Sequence, residues 1–460
     1  MGLRGHARLN AMTRRSLLNA LALNGLSAET PKPNIVLYIA DDLGYDFTGC
    51  NGNRAIQTPH IDAFAQQGLR FTQAYAASPT CSPSRAILYT GLHSARNGLM
   101  GNHTGAKPGV QSIAHYLKPL GYRVMLVHKT HVKPPEVFDF EYVSAALPPR
   151  PDRDRRYRME GLDLEQVDTL LAKHPKQQPL CMIVADSSPH VVWEKNQRYD
   201  PAKLPVPPNM VDTPLTRRAL ANYYEDTTTA DRNFGAVLAS LDEHGFGDNT
   251  LVVFTADQGP EWPKAKWTVY DAGLRVPFVV RWPGKVAAGA VTSAMISHVD
   301  MTPTLVDLAG GTAPTGLDGR SYRSVLLGRA KEFRTEIYAS HSGDGAMNMS
   351  PQRGLRDRRY KYVLNLHPER QWTTHFTKVG GVPESHKSVY DTWLEKARME
   401  PATAKLIDII ERHPREELYD TQTDPYELNN LAGRPGQRGR LERMRARVSE
   451  LRKQLNDPEE

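Results

Sequence analysis

Cysteine is scarce in this chain. Its 460 residues include three, Cys50, Cys81 and Cys181, too few and too scattered for a disulfide framework. Long apolar runs are missing as well, and none approaches the roughly 20 residues that a membrane-spanning helix needs. No internal repeat or long low-complexity tract appears, which argues against a solenoid. Charge is only mildly one-sided. Lys and Arg number 58 against 51 Asp and Glu, a net charge of +7, which favours anionic partners without singling out nucleic acid. No DNA- or RNA-binding motif is present, so no nucleic acid partner is expected. What is there is 40% hydrophobic and 24% charged, enough for a large core spread over two or three domains.

The first 29 residues are basic (Arg4, Arg8, Arg14, Arg15) and then moderately apolar. Thr13-Arg14-Arg15-Ser16-Leu17-Leu18 resembles a twin-arginine export signal, with Met12 as a start and a mature chain from near Glu29. A disordered basic leader is the alternative. The expected location is therefore periplasmic or secreted, and cytoplasmic if the leader is no signal.

Beyond Pro31 and Pro33, NIVLYIA (34–40) is a continuous β-branched apolar run, as in a strand buried on both faces. YRVMLV (122–127), LCMIVA (180–185), TLVVFTA (250–256) and VPFVVRW (276–282) are of the same kind. Helical patterns lie between them at 60–71, 112–121 and 215–245, and a further one at 297–311. Alternating strands and helices predict an α/β domain with a mostly parallel sheet. RTEIYAS (334–340) reads as its last strand. The texture then changes: 352–366 alternates like an antiparallel hairpin, 416–432 reads as a strand and turn, and 433–439 as a linker. The final helix aligns Leu441, Met444, Val448, Leu451 and Leu455 in one stripe that would pack on a small sheet.

Polar residues cluster where the strands end, the edge at which open α/β sheets bind ligands. Asp41 and Asp42 follow the first strand, and Asp257 and Gln258 follow a late one. Either pair alone could cap a helix or turn. Two such pairs at buried strand ends call for a cation, and their hard oxygen donors suit Ca2+ or Mg2+ better than zinc. Lys129 and His131 follow YRVMLV, and His190 follows LCMIVA. The stretch CSPSRAILYTG (81–91) reads as a helix with Ser82 as N-cap, Pro83 at the first helical position and Gly91 at its end. Cys81 would then lie at a positive helix terminus beside Arg85, an arrangement suited to a tetrahedral anion. Cys50 and Cys181 read as small core or loop residues.

Cys81-Ser82-Pro83-Ser84-Arg85 with Thr90-Gly91 resembles the signature of the type I sulfatases, of the alkaline-phosphatase-like superfamily. The resemblance covers about residues 33–432. It implies that Cys81 is converted to formylglycine by a formylglycine-generating enzyme, and that the aldehyde hydrate is the nucleophile. Asp41, Asp42, Asp257 and Gln258, with the modified Cys81, would hold a divalent cation, usually calcium; Gln258 stands where Asn is commoner. His128-Lys129-Thr130-His131 matches a Gly-Lys-x-His pattern with His128 in place of the Gly. Lys266 matches the Lys or Arg before Y-x-x-G-x-R-x-P. By the same resemblance Arg85, Lys129 and Lys266 would neutralise sulfuryl oxygens, and Asp257 would accept the nucleophile's proton. His190, with Lys266, would protonate the leaving atom. His131 would deprotonate the second hydroxyl of the hydrate, expelling sulfate and regenerating the aldehyde.

Residues 128–142, 199–224 and 339–366 look most like the heparan N-sulfatase branch, and His341 with the 341–354 loop offers substrate contacts. The expected architecture is an α/β/α catalytic domain around a mostly parallel mixed sheet (30–345) and a smaller C-terminal α+β domain on an antiparallel sheet with a terminal helix (346–460). The expected function is hydrolysis of a carbohydrate sulfate ester or sulfamate. The alternatives are a phosphoesterase or phosphonate monoester hydrolase on the same scaffold, and an inactive glycan-binding relative in which Cys81 stays a thiol.

Overall fold

The computed structural model describes residues 32–144, 161–344, 349–380 and 384–458; the leader lies outside them. Its strands are β1 Asn34–Ala40, β2 Leu69–Phe71, β3 Ala74–Tyr75, β4 Arg123–His128, β5 Glu141–Val143, β6 Leu180–Ala185, β7 Thr250–Ala256, β8 Phe278–Arg281, β9 Ala290–Thr292, β10 Ile296–Ser297, β11 Glu336–His341, β12 Gln352–Asp357, β13 Tyr360–Asn365 and β14 Glu416–Asp420. The described helices of eight residues or more are α1 Pro59–Gln67, α2 Cys81–Thr90, α3 Leu164–Lys173, α4 Pro214–Glu243, α5 Met301–Leu308, α6 His386–Ala397, α7 Pro401–Glu411 and α8 Arg438–Leu455.

Eight strands form the large sheet in the order β5-β4-β6-β1-β7-β8-β2-β9. The first five are mutually parallel, and β8 alone runs against the rest. VPFVVRW is thus an antiparallel strand, unlike its companions. The apolar runs are continuous because both faces are covered. On β1, Ile35, Leu37 and Ile39 pack with Ala86, Leu88 and Leu305 of α2 and α5. Val36, Tyr38 and Ala40 pack on the other face with Phe64 of α1, Leu171 of α3 and Phe234 of α4. The result is the expected three-layer α/β/α arrangement.

The second sheet is fully antiparallel, β11-β12-β13-β14. Two expectations change here. The 334–340 run belongs to this sheet, because an apolar run does not state its pairing partner; the sheet therefore begins before residue 345. The 60–71 pattern is helical only to Gln67 and then becomes β2, with Gly68 breaking the helix. The terminal helix behaves as expected: Leu441, Met444, Val448 and Leu455 of α8 pack on Tyr338, Leu355, Tyr362 and Leu418, with Leu451 at the edge.

The other face of the second sheet meets the first region through Ile337, Ala339, Val363 and Tyr419 against Tyr75, Val269, Tyr270 and Met295. Ions cross this seam. Arg356 and Lys361 both reach Asp271 at 2.8 Å. Glu427 accepts the Asp271 backbone N–H at 2.6 Å, Glu417 accepts from Tyr270 Oη at 2.8 Å, and the Lys264 ammonium lies 3.4 Å above the Tyr270 ring.

Candidate active site

Adjacent parallel strands β4, β6, β1 and β7 deliver their C-terminal residues to one edge. Along a strand, successive side chains alternate faces. Asp42 breaks the alternation by adopting φ 66°, a left-handed conformation that costs a non-glycine residue about 1 kcal/mol or more. Its N–H donates to Asp257 Oδ1 at 3.1 Å, and its carbonyl accepts from Tyr223 Oη at 2.9 Å. These bonds hold both carboxylates in the site.

Helix α2 enters opposite them. It begins two residues earlier than the motif suggests: Thr80 is the N-cap, Cys81 the first helical residue and Pro83 the third. Proline is harmless there, because the first four helical N–H groups have no intrahelical acceptor. Gly91 closes the helix at φ 68°, as expected. All ten helical residues are buried, which fixes Cys81 and Arg85 firmly. Arg85 Nε and Nη2 reach Asp257 Oδ2 at 2.9 and 2.8 Å, and Nη2 lies 3.6 Å from Asp41 Oδ1. Its guanidinium therefore brackets two carboxylates.

Lys129 pairs with Asp41, and Lys266 Nζ lies 2.7 Å from Asp42 Oδ2. His128, in the place of the pattern's glycine, adopts φ 74°, so the glycine-type turn survives the substitution. His190 Nδ1–H donates to the Val191 carbonyl, which turns Nε2 towards Asp42 Oδ2 at 3.8 Å. His131 Nε2 lies 3.1 Å from His103 Nδ1. The expected residues thus converge from four strand ends, α2 and the segment carrying Lys266. His341 does not join them at an open surface. It is 2% exposed, and its Nδ1 lies 3.1 Å from Thr80 Oγ1, so it braces the N-cap of α2. Four residues of the 341–354 loop, 345–348, lie outside the described residues.

A cation fits this donor set. Oxygens of Asp41, Asp42 and Asp257 lie within 4.8 Å of one another. Gln258 Nε2 donates to Asp42 Oδ1 and stands 3.2 Å from Cys81 Sγ, while Gln258 Oε1 is buried with no partner among the described residues. Turned by 180°, the amide would present oxygen in place of nitrogen at the carboxylates. Four buried carboxylates, Asp41, Asp42, Asp257 and Glu261, face three cations, Arg85, Lys129 and Lys266. The surplus is negative.

The electrostatics follow. Burial opposes ionisation of Asp41, but Lys129 and Arg85 outweigh it and hold the carboxyl well below its usual range. Burial lifts Asp42 well above that range, with added repulsion from Asp41 and Asp257 that Lys266 does not offset. Asp257 is pushed up to about 6 by burial and by Asp41. A divalent ion would reverse both rises. Burial also lifts the Cys81 thiol to about 12 despite Lys266 and Lys129, so an unmodified Cys81 is a protonated, weakly nucleophilic thiol. His190 is driven down to about 3 by burial and then by Lys266.

Some site residues escaped the sequence reading. Glu261 Oε2 lies 3.4 Å from Lys266 Nζ, and its other oxygen pairs with His386 at the start of α6. Asn102 and His103 sit over the first turn of α2. Glu261, between Gln258 and Lys266, had a positional signal. His386 had none, because its contact spans 125 residues of chain.

Comparison with known proteins is consistent with this geometry. The Sulfatase family model matches residues 33–311, and the model for the C-terminal part of N-sulphoglucosamine sulphohydrolase matches 262–397. An ulvan-active sulfatase of Formosa agariphila is 33% identical over 415 residues, covering 89% of this chain and 78% of that protein. Human N-sulphoglucosamine sulphohydrolase is 28% identical over 487 residues, covering 95% and 93%. A structure solved with its substrate D-glucosamine-2-N,6-O-disulfate shares the fold, with TM-score 0.70, 21% identity and coverage of 93% and 99%. A phosphonate monoester hydrolase from Silicibacter pomeroyi does so with TM-score 0.68, 22% identity and coverage of 92% and 96%.

Proposed function

Because this chain belongs to the sulfatase family and is a sulfuric ester hydrolase, we propose that it removes sulfate from a sulfated carbohydrate, as an ester or a sulfamate, with formylglycine at position 81 and calcium as the cation. The observation that carries the reading is the position of Cys81: a deeply buried, protonated thiol at the head of α2, ringed by Asp41, Asp42, Asp257, Gln258, Arg85 and Lys266. Such surroundings are wasted on a thiol. Asp41, Asp42, Asp257 and Gln258 would hold the ion. The ion and the modified side chain would together supply an activated hydroxyl and draw charge from the sulfate.

The chain's own residues do the rest. Lys129 and Lys266 carry the positive charge that a sulfate's outer oxygens need, and their hold strengthens as charge moves onto those oxygens. Arg85 keeps Asp257 and Asp41 in place. His190 Nε2 is the nitrogen free to deliver a proton to the departing sugar atom. A bound anion beside it raises its affinity for that proton. The names of the relatives point to glycosaminoglycans or other sulfated polysaccharides as the substrate class. We propose export to the periplasm or beyond. Among the described residues no helix is long and apolar enough to cross a membrane.

Mass spectrometry of the peptide spanning residues 70–96 tests the modification: conversion of thiol to aldehyde is expected, and an intact thiol in protein made with the modifying enzyme would overturn it. Parallel assays on p-nitrophenyl sulfate and phosphate should favour sulfate; a strong phosphate preference would give the scaffold's phosphonate-hydrolase activity instead. A panel of defined sulfated saccharides then names the sugar and the linkage.

A further inference from the structure

A cavity separate from the catalytic site lies beside the segment that follows β7. Gln258, Glu261 and Lys266 of that segment belong to the catalytic site, whereas Pro260, Trp262 and Ala265 line a hollow of about 470 Å3. That volume lies within the ~300–1,000 Å3 usual for small-molecule sites. None of Asp41, Asp42, Cys81, Lys129 or His190 lines it. Aromatic rings stand between the two spaces. Trp262 stacks on Trp193 at 4.9 Å. Tyr223 lies edge-on to Phe47 and Trp262, and its hydroxyl donates to the Asp42 carbonyl.

The lining mixes ring faces with polar groups. Tyr45, Phe47, Tyr224, Trp262 and Tyr426 supply aromatic surface. Pro205, Pro207 and Pro208 supply a wall whose backbone is already stiff, which lowers the ordering cost of binding. Among these rings stand polar atoms with nothing to bond. Trp262 and Asn209 are both more than nine-tenths buried. Yet Trp262 Nε1, a donor, and Asn209 Oδ1, an acceptor, have no partner among the described residues. Buried polar atoms are nearly always satisfied, so an orphan donor and an orphan acceptor around one cavity point to a ligand that offers both. Asp46 adds an exposed carboxylate to the same lining.

The class of ligand follows from what the lining excludes. Charge is balanced, with Asp46 and Asp271 against Arg275 and Arg356. Arg356 is held by Asp271 at 2.8 Å, and Arg275 sits over the Tyr45 ring at 3.7 Å with two nitrogens on the Thr72 carbonyl. An isolated anion therefore meets no surplus of positive charge. A wholly apolar ligand would leave the Trp262 and Asn209 atoms unpaired. A sugar meets both demands: its ring has an apolar face for aromatic side chains and a rim of hydroxyls that donate and accept. We infer that this cavity is a non-catalytic saccharide site, which grips sugar rings of a polysaccharide chain and tethers that chain to the enzyme. The inference rests on the reading of the substrate as a sulfated polysaccharide. A tethered chain presents its sulfates to the catalytic site at a raised effective concentration, with no change in the chemistry.

Binding can be read with turnover switched off. Isothermal titration calorimetry of the Cys81→Ala protein with desulfated oligosaccharides of heparin and of ulvan should show binding to at least one. Inorganic sulfate should not compete for it, and added salt should barely change it, since no ion pair is involved. Asp46→Ala and Tyr426→Ala should each weaken it roughly tenfold at an unchanged melting temperature. Asp46→Asn, which keeps an acceptor, should recover most of the loss. No binding of either oligosaccharide, or wild-type binding in both alanine variants, overturns the inference. In catalytically competent protein, Asp46→Ala should raise KM several-fold for a sulfated polysaccharide, leave its kcat, and leave the kinetics on p-nitrophenyl sulfate unchanged. A wild-type KM for the polysaccharide in a variant that no longer binds overturns the tether. The two readings fail separately. An enzyme that desulfates a polysaccharide but binds neither oligosaccharide loses only this site. Protein that turns over no sulfate, yet binds them through Asp46 and Tyr426, loses only the sulfatase reading.

Discussion

Two clusters of buried charge hold this molecule, and they are built to different rules. At the seam between the sheets, Asp271, Glu417 and Glu427 face Arg356, Lys361 and Lys264, three against three. At the strand ends, Asp41, Asp42, Asp257 and Glu261 face Arg85, Lys129 and Lys266, four against three. The seam is the more covered of the two, with the Lys361 side chain 0% and the Asp271 side chain 10% exposed. The site is open on one side, where the His190 side chain is 20% exposed. A balanced, well-covered cluster pins two surfaces together. A cluster with surplus negative charge, an orphan amide oxygen and an open side is waiting for a cation and what the cation brings.

The comparison can be broken most forcefully at Cys81. Cys81→Ala should cut turnover roughly a millionfold, the scale seen when a nucleophile is removed, while the melting temperature stays within about 2 °C. Steady-state assays and calorimetry check this, and rates near wild type would remove Cys81 from the chemistry. Next, the two clusters should answer oppositely to loss of one carboxylate. Asp271→Ala leaves Arg356 buried without its carboxylate and Lys361 with only the more distant Glu427, and should cost about 3–5 kcal/mol in chemical denaturation. Asp42→Asn in metal-free protein relieves repulsion, so stability should hold or rise while activity is lost. Equal destabilisation by both would erase the distinction.

The pH dependence sharpens it further. Asp257 has a folded-state pKa near 6 against an ordinary 3.8, so its contribution to stability is complete below 3.8 and is lost as pH rises through 6. In metal-free protein, Asp257→Asn should therefore match the wild type near pH 4 and exceed it at pH 7 by about 3 kcal/mol. Saturating calcium should abolish that advantage. A gap that ignores both pH and calcium would rule out a cation site at Asp257. The smallest effect is expected at Glu261→Gln, which loosens Lys266 and His386 without touching the ligand set. It should lower kcat/KM roughly tenfold and leave calcium-induced stabilisation unchanged.

Much of this was legible from residues 34–40, 180–185 and 250–256, whose bounds as strands match the sequence reading. Strands buried on both faces write an unbroken apolar signal, and the polar residue after each marks the functional edge. The site pairs Asp41-Asp42 and Asp257-Gln258 were readable for that reason. Pairing was not: Glu336–His341 looked like a strand of the large sheet, because nothing local distinguishes the two sheets. The start of α2 shifted by two residues because Thr80 and Ser82 are both good caps and tertiary bonds chose between them. Asn102, His103 and His386 stayed hidden because each acts through partners far away in sequence or through a single hydrogen bond.

The burial of Cys81 has a consequence for the order of events in the cell. At 1% exposure, enclosed by α2 and four strand ends, the thiol is out of reach of any second protein once the chain has folded. On the proposed formylglycine reading, conversion would have to precede the burial of residues 81–91. Modification and folding would then compete for the same window. A chain that folded first would be committed to an inert form, and slower folding or more modifying enzyme would raise the active fraction without altering a single contact in the finished molecule.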